Sequence, residues 1–284
     1  MNIIVCYKYA PDVEDIEIKA DGSVSTEKAR WILGEYDLRA VEAAVKLAEK
    51  TGGRVIALSV GPQQLNDAYA KKDVLSRGPV ELYLVIDGRL TNADTHLTAK
   101  VLAAAIRKIG DFDLVLCGEG SSDLYFQQTG LQLGEILGVP TINAISGITL
   151  AEGCATCLTV QRHLEDEIEI LDIPLPAALS VTSDIAMPRI PTMKETLKAA
   201  KKPVTEWNLH ALGLAEDTKP RVCFLNTRSA GQMNFKDVIM FPILLMLEMK
   251  RSSKYAGRKQ ILIDGTPEKA AQTLINHLVK EDVL

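Results

Sequence analysis

The sequence has no apolar run long enough to cross a membrane. The longest candidate, Val238 to Met249, is interrupted by Pro242 and falls well short of the ~20 residues a span requires. Charge of one sign is lacking too: 32 Lys and Arg stand against 37 Asp and Glu, intermixed, for a formal net charge of -5. No overall field attracts nucleic acid. Cysteine is sparse and odd in number, five in 284 residues, which argues for reduced thiols rather than a disulfide framework. Cys154 and Cys157 do form a CxxC in GCATCL. A zinc site would need a second pair or nearby histidines, and a thioredoxin-type motif would follow a strand and open a helix. This pair lies between two strand-like runs and reads as small residues in a hairpin. The four histidines, His96, His163, His210 and His277, are scattered and form no ligand cluster. Neither a Walker-type GxxxxGK[ST] nor a serine-glycine-glycine loop after the first strand is present to hold a triphosphate. The N-terminus, MNIIVCYKYAPD, lacks a basic leader followed by a long apolar segment and a cleavage site, so the expected location is cytoplasmic.

What is present is an alternation of strands and helices. A chain of 284 residues can bury one large core, or one domain of about 200 residues plus an appendage. Ile3 to Cys6 reads as a buried first strand, and Asp21-Gly22 as a hairpin turn between Glu14 to Lys19 and Ser23 to Thr26. From Asp37, Leu38, Val41, Ala44, Val45 and Ala48 recur at helical spacing until Gly52-Gly53. Arg54 to Ser59 is then a strand, and Gln63 to Arg77 an amphipathic segment. Strand Leu82 to Ile86, helix Asp94 to Ile109, strand Asp113 to Cys117 and helix Gln127 to Leu137 continue the cycle. Such alternation predicts a doubly wound, mostly parallel Rossmann-like α/β sheet, because a parallel crossover needs a helix-length connection. Ligands of such sheets bind beyond the carboxyl ends of the strands, where the loops after Cys6, Ser59 and Cys117 lie.

After Gly138-Val139-Pro140 the pattern turns antiparallel, with strands predicted at Ile145 to Leu150, Ala155 to Arg162 and Glu167 to Leu171. A last apolar strand, Ala177 to Val181, precedes the irregular SDIAMPRIPTM and a helix from Met193 to Lys202. We place a nucleotide-binding domain at 1–202 and an extended C-terminal arm at 203–284, with strands at Val222 to Asn226 and Gln260 to Asp264 and a helix after Thr266-Pro267.

The most informative stretch is GEGSSDLYFQQTG, Gly118 to Gly130, at a strand-to-helix junction. Glycine backbone, two serine hydroxyls and free amides at a helix N-terminus together favour a phosphate.

In IIVCYKYAPD, YDLRAVEAAVKL, VIALSVGP, DVLSRGP, DLVLCGEGSSDLYFQQTG, LEDEIEILDIPLPAALSVTSDI and MKETLKAAKKP, the chain resembles the beta subunit of an electron transfer flavoprotein. The resemblance is to the Fix-type branch linked to anaerobic carnitine metabolism. It runs from Met1 to about Trp207, and Gln260 to Val279 resembles the family's C-terminal end. It implies a fold like that of adenine nucleotide alpha-hydrolases with an added antiparallel hairpin and a C-terminal arm packing on an alpha subunit. The implied assembly is a heterodimer in which the alpha subunit supplies most contacts to the redox FAD. The beta subunit would hold AMP or a second FAD and dock an acyl-CoA-type dehydrogenase or a quinone oxidoreductase; it would be an electron carrier, not an enzyme.

Carried over residue by residue, the nucleotide site falls on Cys6, Val60, Gly118, Gly120, Ser121, Ser122, Asp123, Gln127, Gln128 and Thr129. Leu124 and Tyr125 stand where the family commonly has aspartates, and Gly34 where it often has an asparagine. Docking is carried onto Asp184 to Pro191, with Asp184 at its start and Ile185 and Met187 as exposed anchors; alternatively Ile185 packs inward and the loop only connects. Arg162 matches the family's arginine near the flavin, where a guanidinium would stabilise the anionic reduced form; alternatively it pairs with Glu165 or Glu167. Two other functions fit the sheet: a stand-alone adenine-nucleotide-binding regulatory protein of the stress-protein type, and an ATP-using transferase or pyrophosphatase.

Overall fold

The computed structural model describes residues 1–214 and 219–222, all within the compact unit Met1–Thr227. The apolar run 238–249, the strand at Gln260 to Asp264, the helix after Thr266-Pro267 and all but the first residue of the strand at Val222 to Asn226 lie outside the described residues.

Strand β1 (Asn2–Cys6) is followed by β2 (Tyr9–Pro11), the short hairpin β3 (Glu17–Ile18) and β4 (Val24–Ser25), and β5 (Trp31–Leu33). Gly22 takes a left-handed φ of 79° between β3 and β4, the conformation the Asp21-Gly22 signal predicts. The β2–β5 ribbon is a structure that sequence periodicity does not reveal, because each strand is three residues long. Helix α1 (Glu35–Thr51) buries Ala40, Val41, Ala44, Val45 and Ala48 on one face and ends on Gly52, whose left-handed backbone returns a hydrogen bond to the Ala48 carbonyl.

Next come β6 (Arg54–Gly61), α2 (Ala68–Ser76), β7 (Glu81–Ile86), α3 (Thr95–Ile109), β8 (Leu114–Gly118) and α4 (Thr129–Leu137). Asp67 and Asp94 cap α2 and α3 by accepting amides of their first turns, so both helices begin at an aspartate. The chain continues through β9 (Thr141–Leu150), β10 (Cys157–His163), β11 (Ile168–Pro174), β12 (Ala177–Val181), α5 (Met193–Ala199) and β13 (Val204–Trp207).

The main sheet has nine strands in the order β11-β10-β9-β12-β8-β1-β6-β7-β13. From β9 to β13 every pairing is parallel; β10 and β11 extend it antiparallel. This is the expected Rossmann-like α/β fold. Alternate residues of each strand enter two cores. Ile3, Val5, Ala57, Leu84 and Leu116 pack against α1, α2 and α5, while Ile4, Cys6, Leu58, Val85 and Cys117 pack against α3 and α4. Each fully buried leucine or isoleucine contributes about 1.5–3 kcal/mol.

Three expectations are corrected. Strand β9 begins at Thr141, four residues early, because Ala144 at φ 57° bends it: its first part pairs with β12 and its second with β10. Residues 204–207, read as the start of an arm, are the edge strand beside β7, anchored by Trp207 packing on Tyr83 with ring centroids 5.0 Å apart. Cys154 and Cys157 do sit in the β9–β10 hairpin turn, but as a bonded pair; Cys6 and Cys117 are free and buried.

Candidate functional site

The next strand of the main sheet after β1, β6, lies on one side of it, and β8 lies on the other. This reversal opens a crevice at the carboxyl ends of β1 and β8, where doubly wound sheets bind ligands. The sequence-assigned residues meet there. Cys6 ends β1 and Cys117 lies next to it on β8, both on the α3/α4 side; Val60, half-buried near the end of β6, packs against the same cluster. The Ser59 hydroxyl donates 2.6 Å to the Tyr7 carbonyl and ties the loop after β1 to β6.

Asp37 organises the crevice, although helical spacing marks it only as the start of an apolar run. Its carboxylate accepts the Lys8 amide at 2.7 Å and the Gly118 amide at 3.0 Å, joining the loops after β1 and β8 through the first turn of α1. Burial pushes this carboxyl up to about 7, against the opposing pull of those two amides. Gly118 has to be glycine: a Cβ would lie 2.6 Å from Asp37 Oδ1 and 2.8 Å from the Tyr36 backbone. Across the crevice Lys8 Nζ pairs with Asp123 at 2.6 Å. Partial burial would raise the Asp123 carboxyl, but the Lys8 ammonium outweighs it and the net shift is downward. The loop therefore presents no unbalanced carboxylate at Asp123. Tyr125 packs its ring over Gly120 and 5.2 Å from Tyr36, with a left-handed φ of 45°; Gln127 follows at φ 56°. Two non-glycine residues in that region within three positions mark a loop held by its surroundings.

Helix α4 opens directly out of this loop. Its N-cap, Gln128, makes no capping side-chain bond, so the first-turn amides at Thr129, Gly130 and Leu131 retain their donor capacity. Gly130 lets the helix approach β12: a Cβ there would be 2.1 Å from Ser180 Oγ. Beside the helix start, the Thr95 hydroxyl at the start of α3 bonds Gln128 Oε1 at 3.1 Å and accepts from Gln132 Nε2 at 3.3 Å. Gln132 Oε1 is buried with no partner among the described residues. Thr95 and Gln132 were not among the sequence-assigned residues, since only the meeting of α3 with α4 places them. Ser122, Asp123, Gln127 and Gln128 are exposed, and Gly118, Gly120, Ser121 and Thr129 half-buried.

The remaining assigned residues lie off this cluster. Arg162 on β10 bonds Glu169 directly opposite on β11 at 3.1 Å and Asn143 at 3.1 Å, so the expected partners Glu165 and Glu167 are replaced by Glu169. Strand pairing puts residues 162 and 169 face to face. The Arg162 Nε is buried and has no partner among the described residues. Asp184 is exposed, accepts from the Thr182 hydroxyl and lies 4.0 Å from His163 Nδ1. Ile185, expected exposed, is half-buried against the α1 side of the core, because the loop turns inward through the buried Ala186. Met187 is 78% exposed, and Ile190, Met193 and Leu197 are exposed in the same stretch. Arg189 pins the stretch by bonding the buried Glu42 at 2.7 Å and Glu49 at 2.9 Å.

A cavity of about 640 Å³ lies elsewhere, between the β2–β5 ribbon and α2, lined by Tyr9, Trp31, Tyr69 and Asp67 among others. Its two arginines are paired, Arg30 with Asp12 and Asp15 and Arg77 with Asp73, so it offers no spare positive charge to a phosphate.

A model of the electron transfer flavoprotein domain matches residues 21–212, more than half of the chain, including α1, the loop after β8 and Arg162. The chain belongs to the electron transfer flavoprotein family. Proteins with this domain are electron carriers rather than enzymes in the usual sense. The family generally binds FAD, with AMP in its beta subunits. The crevice suits the adenylate part of such groups: it combines donor-rich backbone, an internally balanced Asp123 and a buried amide oxygen lacking a donor. Among the described residues no helix is long and apolar enough to cross a membrane, and no cluster could hold a metal ion.

Proposed function

We propose that the chain is the beta-type subunit of a heterodimeric electron transfer flavoprotein of the Fix-type branch, serving anaerobic carnitine-linked acyl-CoA reduction in the cytoplasm. Its crevice at the β1–β8 switch point holds an adenine nucleotide, AMP or the adenylate half of a second FAD. The observation that carries this reading is the uncapped start of α4 at that switch point, beside the orphaned Gln132 carbonyl. Ser121, Ser122, Gln128 and Thr129 supply hydroxyl and amide donors; Gly118 and Gly120 allow close backbone approach. A ligand hydroxyl or amino group satisfies Gln132 Oε1, removing the cost of a buried unpaired acceptor. Cys6 and Val60 form the apolar side of the site.

FAD, held mainly by the alpha subunit, supplies the redox chemistry. On this side Arg162 faces it with a guanidinium N–H left over from Glu169 and Asn143. Met187, with Ile190, Met193 and Leu197, docks the dehydrogenase or quinone oxidoreductase, and Asp184 lies at the base of that loop. Exposed apolar side chains on a pinned loop fill a partner pocket at small ordering cost, as transient exchange requires.

Denaturing the purified complex with its alpha partner and identifying the released nucleotides tests the reading. AMP with one FAD, or two FAD, is expected; FAD at one per complex with no further adenine nucleotide would overturn it. Thr129→Val is expected to weaken nucleotide retention by roughly 1 kcal/mol or more, through loss of one hydroxyl donor.

A further inference from the structure

The bonded pair Cys154–Cys157 closes a very short loop, with a sequence separation of 3 and a Cα–Cα distance of 5.4 Å. It occupies the turn between β9 and β10, where Glu152, Gly153, Ala155 and Thr156 are exposed and both cysteines half-buried. Gly153 at φ 75° makes the turn.

The hairpin does not need the bond. Leu158 pairs with Leu150 and Thr159 with Thr149; the Ala151 amide bonds the Cys157 carbonyl at 3.3 Å, and the Leu175 amide bonds the Thr156 carbonyl at 2.9 Å. A cross-link constrains the unfolded chain less the shorter its loop, and this one ties together residues that backbone pairing already holds. A structural staple is therefore the weaker account of it. The other described cysteines are inert by contrast. Cys6 and Cys117 are buried in the α3/α4 core, and hydrogen bonding to Cys117 together with burial pushes the Cys6 thiol up. The turn sequence AEGCATC carries one carboxylate and no cation, so the turn itself supplies no charge that favours a thiolate.

We propose that Cys154 and Cys157 form a reversible two-electron dithiol–disulfide site that exchanges with low-molecular-weight thiols. An external thiolate attacks one sulfur, the Cys154–Cys157 bond breaks, and the departing cysteine sulfur takes a proton from water while the attacked one becomes a mixed disulfide. A second external thiolate attacks the small thiol's sulfur in that mixed disulfide and the cysteine sulfur departs and takes a proton from water, leaving two cysteine thiols and one small-molecule disulfide. Two electrons thus pass from two small thiols to the protein.

The test equilibrates the full-length protein in glutathione buffers of graded ratio without oxygen, quenches with acid, alkylates free thiols and counts labels by peptide mass spectrometry. The peptide spanning Cys154 and Cys157 is expected to switch between no label and two. Its reduced-to-oxidised ratio should change roughly 100-fold for each tenfold change in reduced glutathione at fixed disulfide. The Cys6 and Cys117 peptides keep one labelling level throughout, and the far-ultraviolet circular dichroism stays the same. Cys157→Ser is expected to accumulate a mixed disulfide at Cys154 in oxidised glutathione. A pair that stays bonded in a large excess of reduced glutathione, or stays as two thiols in oxidised glutathione alone, overturns the proposal. So does loss of folding in the Cys154→Ser/Cys157→Ser variant, which would make the bond structural.

Discussion

Single residues decide how the crevice is held open. Asp37 is a buried carboxyl whose value in the folded chain, about 7, lies above the ordinary 3.8 of an exposed aspartate. A raised folded value means the folded state holds the proton more tightly. The associated stability is present in full below pH ~4 and is lost as pH rises through ~7. Urea titrations at pH 5 and pH 8 should therefore show a smaller midpoint at pH 8, and Asp37→Asn should flatten that difference. Gly130 makes a second prediction. Gly130→Ala places a methyl against Ser180 Oγ and is expected to cost about 1–3 kcal/mol in denaturant unfolding. Ser180→Ala removes the opposing oxygen and should restore most of that loss, a coupling that a double-mutant cycle reads directly.

At the level of elements, the stretch from Asp184 through α5 is a braced platform. Arg189 spans Glu42 and Glu49 of α1, Arg77 at the C-cap of α2 donates to the Arg189 carbonyl at 3.0 Å, and Thr192 with Glu195 forms a reciprocal cap on α5. Removing the guanidinium leaves Glu42, 4% exposed, with only Lys46 at 3.7 Å among the described residues. Arg189→Ala is thus expected to cost about 2 kcal/mol in thermal or urea unfolding. Met187→Asp and Ile190→Asp should leave stability within about 0.5 kcal/mol, because both side chains already face solvent. Under the docking reading they should also slow electron exchange with the partner dehydrogenase in stopped-flow measurements. Unchanged exchange in both would place the contact elsewhere.

Over the whole molecule, the mostly parallel α/β class was legible in the chain because long periodic segments dominate it, and the family because matching sequence pieces follow one another in one order; the strand order of the sheet was not. The four central βα repeats, the stops at Gly52 and Gly138, and the antiparallel turn-over after Pro140 follow from local patterning. Short or context-made features were not legible. The β2–β5 ribbon and β13 are three and four residues long, too short for a period to register. The candidate site divides the same way. Gly118 to Gly130 announced itself through composition, whereas Asp37, Thr95 and Gln132 became site residues only when the sheet brought α1, α3 and α4 to one edge. Ile185 shows the reverse case, an apolar residue in a proline-rich loop whose exposure depends on where the neighbouring Ala186 turns. The chain alone determined which of the longer segments are strands and helices, since hydrophobic spacing and glycine stops act over a few residues. Tertiary structure alone decided which polar groups face each other across the β1–β8 crevice, because partners such as Lys8 and Asp123, or Asp37 and Gly118, are set by strand order and not by neighbourhood in the chain.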